Sequence, residues 1–341
     1  MSMASLLAWR TTCRDNFFTA TVELRQSQSR LVARFFPSPK VLLRYLTRWG
    51  ALIVGEAAAS LVLHNPLLCH TTLEIAVGCL VFDPFIRCFA HFVPFGTHLI
   101  SRTDAPAPPM FPALRHISRI AEFKLKSGLS IQVYESTTPS PCDVVCGSWT
   151  TALMNFVTES SFGCAYPRLT LNNKGVLCDE RVGFTRWLDQ TTHDRLRANG
   201  MTFSFYSPKW TEYSAGPYTS SSPSMTACGR TMYVCPSQAR FFGDSGSLIV
   251  FLDGFLVNLD KLRSCCIAPY GTMTAWRISS KLTCEGRCIE DKSVVPPYVH
   301  TILIHFQDRP TSSPYDEYAS PNTSSMTPSR SQLSFYRRHS F

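Results

Sequence analysis

The sequence predicts an all-β protein, and three features carry that expectation. Short apolar runs recur along the 341 residues, separated by Pro, Gly, Ser and Thr. Long stretches with the 3.6-residue spacing of an amphipathic helix are few. The 45% hydrophobic content can fill one large core or two modest ones. This punctuation suits strands joined by turns across residues 53–308.

Residues 1–52 read as a basic extension outside that core. The first fifty residues hold eight basic and two acidic side chains, so most of the net charge of +9 sits there. Arg25, Arg30, Arg34, Lys40, Arg44 and Arg48 are spread among Phe, Leu and Trp. A pro-segment, a basic membrane-surface segment or an arm for nucleic acid would each look like this, and so would a solvated helical face. No signal peptide is evident, because Met1 to Trp9 lacks a basic start and an adequate apolar core. The apolar run Ala51 to Leu63 is too short to span a bilayer.

The next run reads as a hairpin, with apolar Ile75 to Phe82, a turn at Asp83-Pro84, and apolar Phe85 to Ala90. A Ser/Thr/Pro-rich loop from Ser136 to Pro141 then leads to Asp143-Val144-Val145. Further short strands are expected at Ser130 to Tyr134, Met201 to Tyr206, Ser247 to Leu252 and Tyr298 to Phe306. Residues 309–341 are rich in Ser, Pro, Thr and Tyr and read as a disordered tail.

Fourteen cysteines are many for this length. In an exported chain they would pair. Cys142, Cys146, Cys284 and Cys288 could supply four thiolates, but their spacing is looser than a zinc site's usual two-residue gap. The expectation is therefore no obligate metal and no cofactor, and the cellular compartment is left open.

The most informative string is Phe242-Gly243-Asp244-Ser245-Gly246-Ser247, running into Leu248-Ile249-Val250. Glycines on both sides permit a tight turn that would leave the N–H groups of Gly243 and Ser245 converging beside the hydroxyl. Acyl transfer needs such a pair to hold its oxyanion. A serine also needs an imidazole to take its proton and a carboxylate to orient that imidazole. His91 and Asp143 both precede Ser245 in the chain.

These residues resemble the chymotrypsin-like serine proteases. Gly78-Cys79-Leu80-Val81 through Phe89-Ala90-His91 is similar to the stretch leading to that family's histidine. Asp143-Val144-Val145 looks like its aspartate strand, and Ile53-Val54-Gly55-Glu56 its activated start. The resemblance implies a double β-barrel and a serine endopeptidase with catalytic His91, Asp143 and Ser245. It implies an oxyanion hole at Gly243 and Ser245, and a free Ile53 amine pairing with Asp244. Ala239 as pocket floor and Gly271 on the pocket wall would favour apolar residues before the cleaved bond of a protein or peptide substrate. The resemblance also implies pairing of Cys235 with Cys265 or Cys266.

Phe92, Phe241 and Asn258 depart from the family's cysteines and glycine. Those departures keep alternatives open: a non-catalytic form of the fold, or a basic accessory protein meeting nucleic acid or an anionic membrane through residues 1–50.

Overall fold

A computed structural model describes residues 1–69, 71–92, 98–104, 116–178, 190–205, 207–213, 232–236, 238–252, 267–268, 272–278 and 300–303. Its elements are α1 (Met3–Arg10), α2 (Arg14–Ala33), α3 (Pro39–Arg48), β1 (Leu52–Val54), α4 (Gly55–Val62), β2 (Thr72–Val77) and α5 (Phe82–Phe92). There follow β3 (His98–Asp104), β4 (Ile117–Lys124), β5 (Ser130–Ser136), α6 (Cys142–Cys146), β6 (Asn155–Val157), β7 (Ser161–Cys164) and α7 (Pro167–Thr170). The remainder are β8 (Lys174–Val176), α8 (Gln190–Ala198), β9 (Thr202–Ser204), β10 (Arg240–Phe241), β11 (Leu248–Phe251), β12 (Ile267–Ala268), β13 (Thr272–Trp276) and β14 (His300–Leu303).

Eight strands form one mixed sheet in the order β11-β7-β6-β1-β2-β5-β4-β3. Only β2 and β5 run parallel, and the other neighbours are antiparallel. Ile53 of β1 sits at the centre, paired with Ile75 on one side and Val157 on the other. Leu52, Val54 and Ala76 join Val145, Phe156 and Trp276 in one apolar cluster. Their neighbours Ile53 and Ile75 alternate to the opposite face, as the two-residue period of a strand requires. A smaller sheet has the order β10-β13-β12, with β14 also on β13, and β8 and β9 form a parallel pair.

The all-β double-barrel expectation is therefore overturned. The sheet is open and mixed, and helices occupy much of the first ninety residues. The predicted hairpin is the plainest correction, since β2 carries its first arm and α5 replaces its second. Asp83 and Pro84 open α5 because an early proline gives up no helical hydrogen bond and an acid suits the positive end. Phe82, Phe85, Ile86 and Phe89 are buried at helical spacing. The Phe85 and Phe89 rings engage Tyr45 of α3, and Phe89 also meets Phe123 of β4.

The basic segment is not an outlying extension either. Ala20, Leu24, Val32 and Leu42 are fully buried. Arg10 donates to the Phe251 carbonyl at 2.6 Å, and the Tyr45 hydroxyl to that of Phe85 at 3.1 Å. Residues Met1–Ile304 make one compact unit. The expected strands at Ser130, Thr202, Leu248 and His300 are present. The tail at 309–341 lies outside the described residues.

Candidate functional site

The Gly-Asp-Ser-Gly turn is organised by its aspartate. Arg240, with no exposed surface, donates Nη2–H to Asp244 Oδ1 at 2.9 Å and Nε–H to Oδ2. Its remaining N–H groups reach the carbonyls of Tyr233 and Ala165, and its plane lies over the rings of Tyr166 and Tyr233. Asp244 Oδ1 also accepts the Gly246 N–H at 3.0 Å. The Gly243 N–H, expected to hold an oxyanion, is taken by Ser247 Oγ at 2.8 Å. Asp244 is thus committed to Arg240, and Ile53 is held in mid-strand, so the expected Ile53–Asp244 pair does not form.

His91 and Asp143 belong to opposite ends of the sheet. Asp83, at the start of α5, meets Arg119, which also holds Glu135 near the end of β5. Six residues along α5, Phe89 stacks edge-on to Phe123, whose partner on β5 is Ile131. His91 lies beyond that point, exposed. Asp143 sits past the other end of β5, accepting from the hydroxyls of Thr138 and Thr274 (2.7 Å for the latter). Four residues of strand between Ile131 and Glu135 span about 13 Å.

Ser245 precedes β11, at one edge of the sheet, whereas α5 ends over β4, near the other. Six strand steps separate those strands, about 29 Å. The three residues are therefore not brought to one point. Ser245 is exposed and Ala239 half-buried. Gly271, Cys265, Cys266, Cys284 and Cys288 lie outside the described residues, whereas Cys142, Cys146 and Cys235 are buried. Among the described residues no three His, Cys, Asp or Glu side chains gather as metal ligands would.

A cluster not foreseen from sequence lies where β1 turns into α4. Gly55 adopts φ +64°, and a Cβ there would fall 1.5 Å from Glu74 Oε2. That oxygen accepts the Glu56 N–H at 3.1 Å, and the Tyr134 hydroxyl lies 2.9 Å from Glu74 Oε1. Glu56 pairs with Arg195 of α8. Burial pushes both carboxyls above their ordinary range, more than Arg195 and the hydrogen bonds can offset. The arrangement clamps α4 to β2 and α8.

The basic segment presents a different surface. Leu42, Leu43 and Leu46 are buried along one side of α3, which fixes the helix's rotation. Lys40, Arg44 and Arg48 are consequently all exposed, one helical turn apart, over about 12 Å. Arg44 is 3.9 Å from Glu159 with 81% of its side chain exposed, a pair too wet to neutralise it firmly. Arg87 is exposed on α5, the helix that Tyr45 joins to α3. The Tyr45 ring packs between Phe85 and Phe89 of α5, so the two helices meet there, and burial raises the phenol's pKa.

The comparisons with known proteins lend no protease relative. No family model matches the chain, and no curated protein matches it. A solved structure of a CCA-adding enzyme, apo form I, is similar over 50% of this chain at 16% identity and a TM-score of 0.29. The match spans 44% of that enzyme's chain. The superposition is too loose to carry an argument. With an open mixed sheet in place of two barrels, the resemblance to chymotrypsin-like proteases is withdrawn.

Proposed function

We propose that the protein binds nucleic acid through its phosphate backbone, using Lys40, Arg44 and Arg48 of α3 with Arg87 of α5 alongside. One observation carries this reading: three exposed cations stand on successive turns of a helix whose opposite face is locked in the core. A phosphate backbone offers regularly spaced negative charge, and a fixed row of cations meets it without a large ordering cost. The net charge of +9 supports attraction at longer range. The row contains no ring that would read bases, so the binding is expected to be independent of sequence.

The test is fluorescence anisotropy of a labelled oligonucleotide, titrated with protein at several salt concentrations. Each phosphate contact contributes about 0.9 to the slope of log affinity against log salt for duplex DNA. Replacing Lys40, Arg44 and Arg48 together by Gln should cut that slope by about 2.7. A variant that binds as well as the parent, or a parent whose binding ignores salt, defeats the proposal. Binding to phosphatidylserine vesicles without binding to oligonucleotides would also defeat it.

A further inference from the structure

Beside α8 lies an open cleft of about 530 Å³, bordered by His193 and Arg197 of that helix, by Leu177 and Met201, and by Phe203 of β9. The local fold explains why these side chains share it. Leu196 is fully buried, which fixes the rotation of α8 and leaves His193 and Arg197, one turn apart, along the cleft. Gly200, at φ +88°, ends the helix and lets the Met201 N–H return to the Leu196 carbonyl at 3.0 Å. The chain thus enters β9 at the foot of α8.

Two aromatic rings are held in place there. The centroids of His193 and Phe203 are 5.0 Å apart with their planes at 34°. Trp149, itself buried, packs on both at 6.0 and 5.9 Å. Opposite Phe203 on β8 is Gly175, where a Cβ would fall 2.7 Å from the ring, so the missing side chain gives Phe203 its seat. Hydrogen bonds from Gln190 and His193 hold the Asp194 carboxyl below its ordinary range, so it accepts from His193 Nδ1–H at 3.3 Å and fixes that ring. Both rings are only half-buried, and their remaining surface is open to the cleft.

Arg197 supplies charge. It is exposed and, among the described residues, forms no ion pair. Asp194 acts on it through space, so the rim suits one phosphate better than a chain of three. His193 and Arg197 are about 6 Å apart along the helix, which is comparable to the reach from a nucleotide's base to its own phosphate.

We propose that this cleft binds one nucleotide whose base is unpaired, with the base against His193 and Phe203 and the phosphate at Arg197. A ring surface alone would suit any flat molecule, and an arginine alone any anion. Both in one cavity select a ligand that carries both groups. A free nucleotide and an unpaired residue at the end of a strand share that chemistry. The site does not involve α3, so it and the phosphate-binding row stand or fall separately.

Isothermal titration calorimetry of the full-length protein with adenosine 5′-monophosphate, adenosine and ribose 5-phosphate tests this. The monophosphate should bind most tightly. Arg197→Gln should bind it no better than adenosine, and Phe203→Leu should weaken both by about tenfold. Circular dichroism would confirm that the variants are folded, and Arg197, being exposed, keeps the test open if Phe203→Leu is not. A folded parent that fails to bind the monophosphate overturns the proposal. So does an unchanged affinity in folded Arg197→Gln, or ribose 5-phosphate binding as tightly as the monophosphate. Repeating the titration with Lys40, Arg44 and Arg48 all replaced by Gln separates the two sites, since nucleotide binding should survive there. In that variant, displacement of the monophosphate by a short single-stranded oligonucleotide assigns the cleft to a strand end. Failure to displace it assigns the cleft to a free nucleotide, and either result supports the site.

Discussion

Arg240 and Asp244 form a two-point ion pair inside the turn that carries Ser245, with the arginine wholly buried and the aspartate nearly so. The relationship explains the glycine-flanked string without invoking catalysis. A buried guanidinium needs a carboxylate and carbonyls, and Asp244, Tyr233 and Ala165 supply them. Removing Asp244 would strand that cation. Asp244→Ala should therefore destabilise the protein by about 3–5 kcal/mol, read from urea unfolding. A loss under about 1 kcal/mol would mean that the pair does not organise the turn.

Ser245 itself is expected to be dispensable. It is exposed, the Gly243 N–H is engaged by Ser247 Oγ, and His91 lies toward the other edge of the sheet. Ser245→Ala should change stability by no more than about 0.5 kcal/mol. Fluorophosphonate should not modify Ser245, and modification there would restore the case for a nucleophile.

Parts of this architecture were legible in the sequence. The run Leu248–Phe251 forms a strand, and alternation in Ser130–Ser136 places Ile131 and Val133 in the core. Lys40, Arg44 and Arg48, opposed by Leu42, Leu43 and Leu46, already have the spacing of a helix with one wet and one dry face. Phe82, Phe85, Ile86 and Phe89 carry the same period, but Asp83-Pro84 is as natural at a helix start as in a turn. Only packing against Tyr45 and Phe123 decides between them. The Gly-Asp-Ser-Gly string misled because four residues encode a tight turn and not its partners. Arg240, four residues upstream of Asp244, was the available sign of a structural role.

Gly55 should tolerate no side chain. Its positive φ disfavours other residues, and a Cβ would overlap Glu74. Gly55→Ala should cost about 2 kcal/mol or more, measured as a lowered urea midpoint with an unchanged slope. A neutral result would mean that β2 and α4 separate easily.

Glu74 and Glu56 should imprint a pH dependence on stability. Both carboxyls are raised above an ordinary value of 4.5, so the folded state holds its protons to higher pH than the unfolded chain does. Between 4.5 and the raised values the native form binds more protons, and stability falls as pH rises through that window. Glu74→Gln should flatten the fall and leave the Glu56 contribution. Urea titrations at several pH values would show this, and an unaltered pH profile in Glu74→Gln would exclude a raised Glu74.

Removing residues 1–51 should abolish folding, although the sequence alone suggested a detachable extension. Met3, Leu6, Ala20, Leu24, Val32, Leu42 and Leu46 are almost completely buried. A fully buried Leu, Met or Val side chain contributes roughly 1.5–3 kcal/mol, so losing several approaches the 5–15 kcal/mol by which domains are stable. The cut would also leave Leu52–Val54 at the new terminus, although Ile53 pairs on both sides in mid-sheet. The truncated chain is expected to lack a cooperative thermal transition by circular dichroism and to bind a dye for exposed apolar surface. A cooperative transition in the truncated chain would show that α1, α2 and α3 are accessory to the sheet. The α3 cations would then be better described as a detachable arm than as a face of the core.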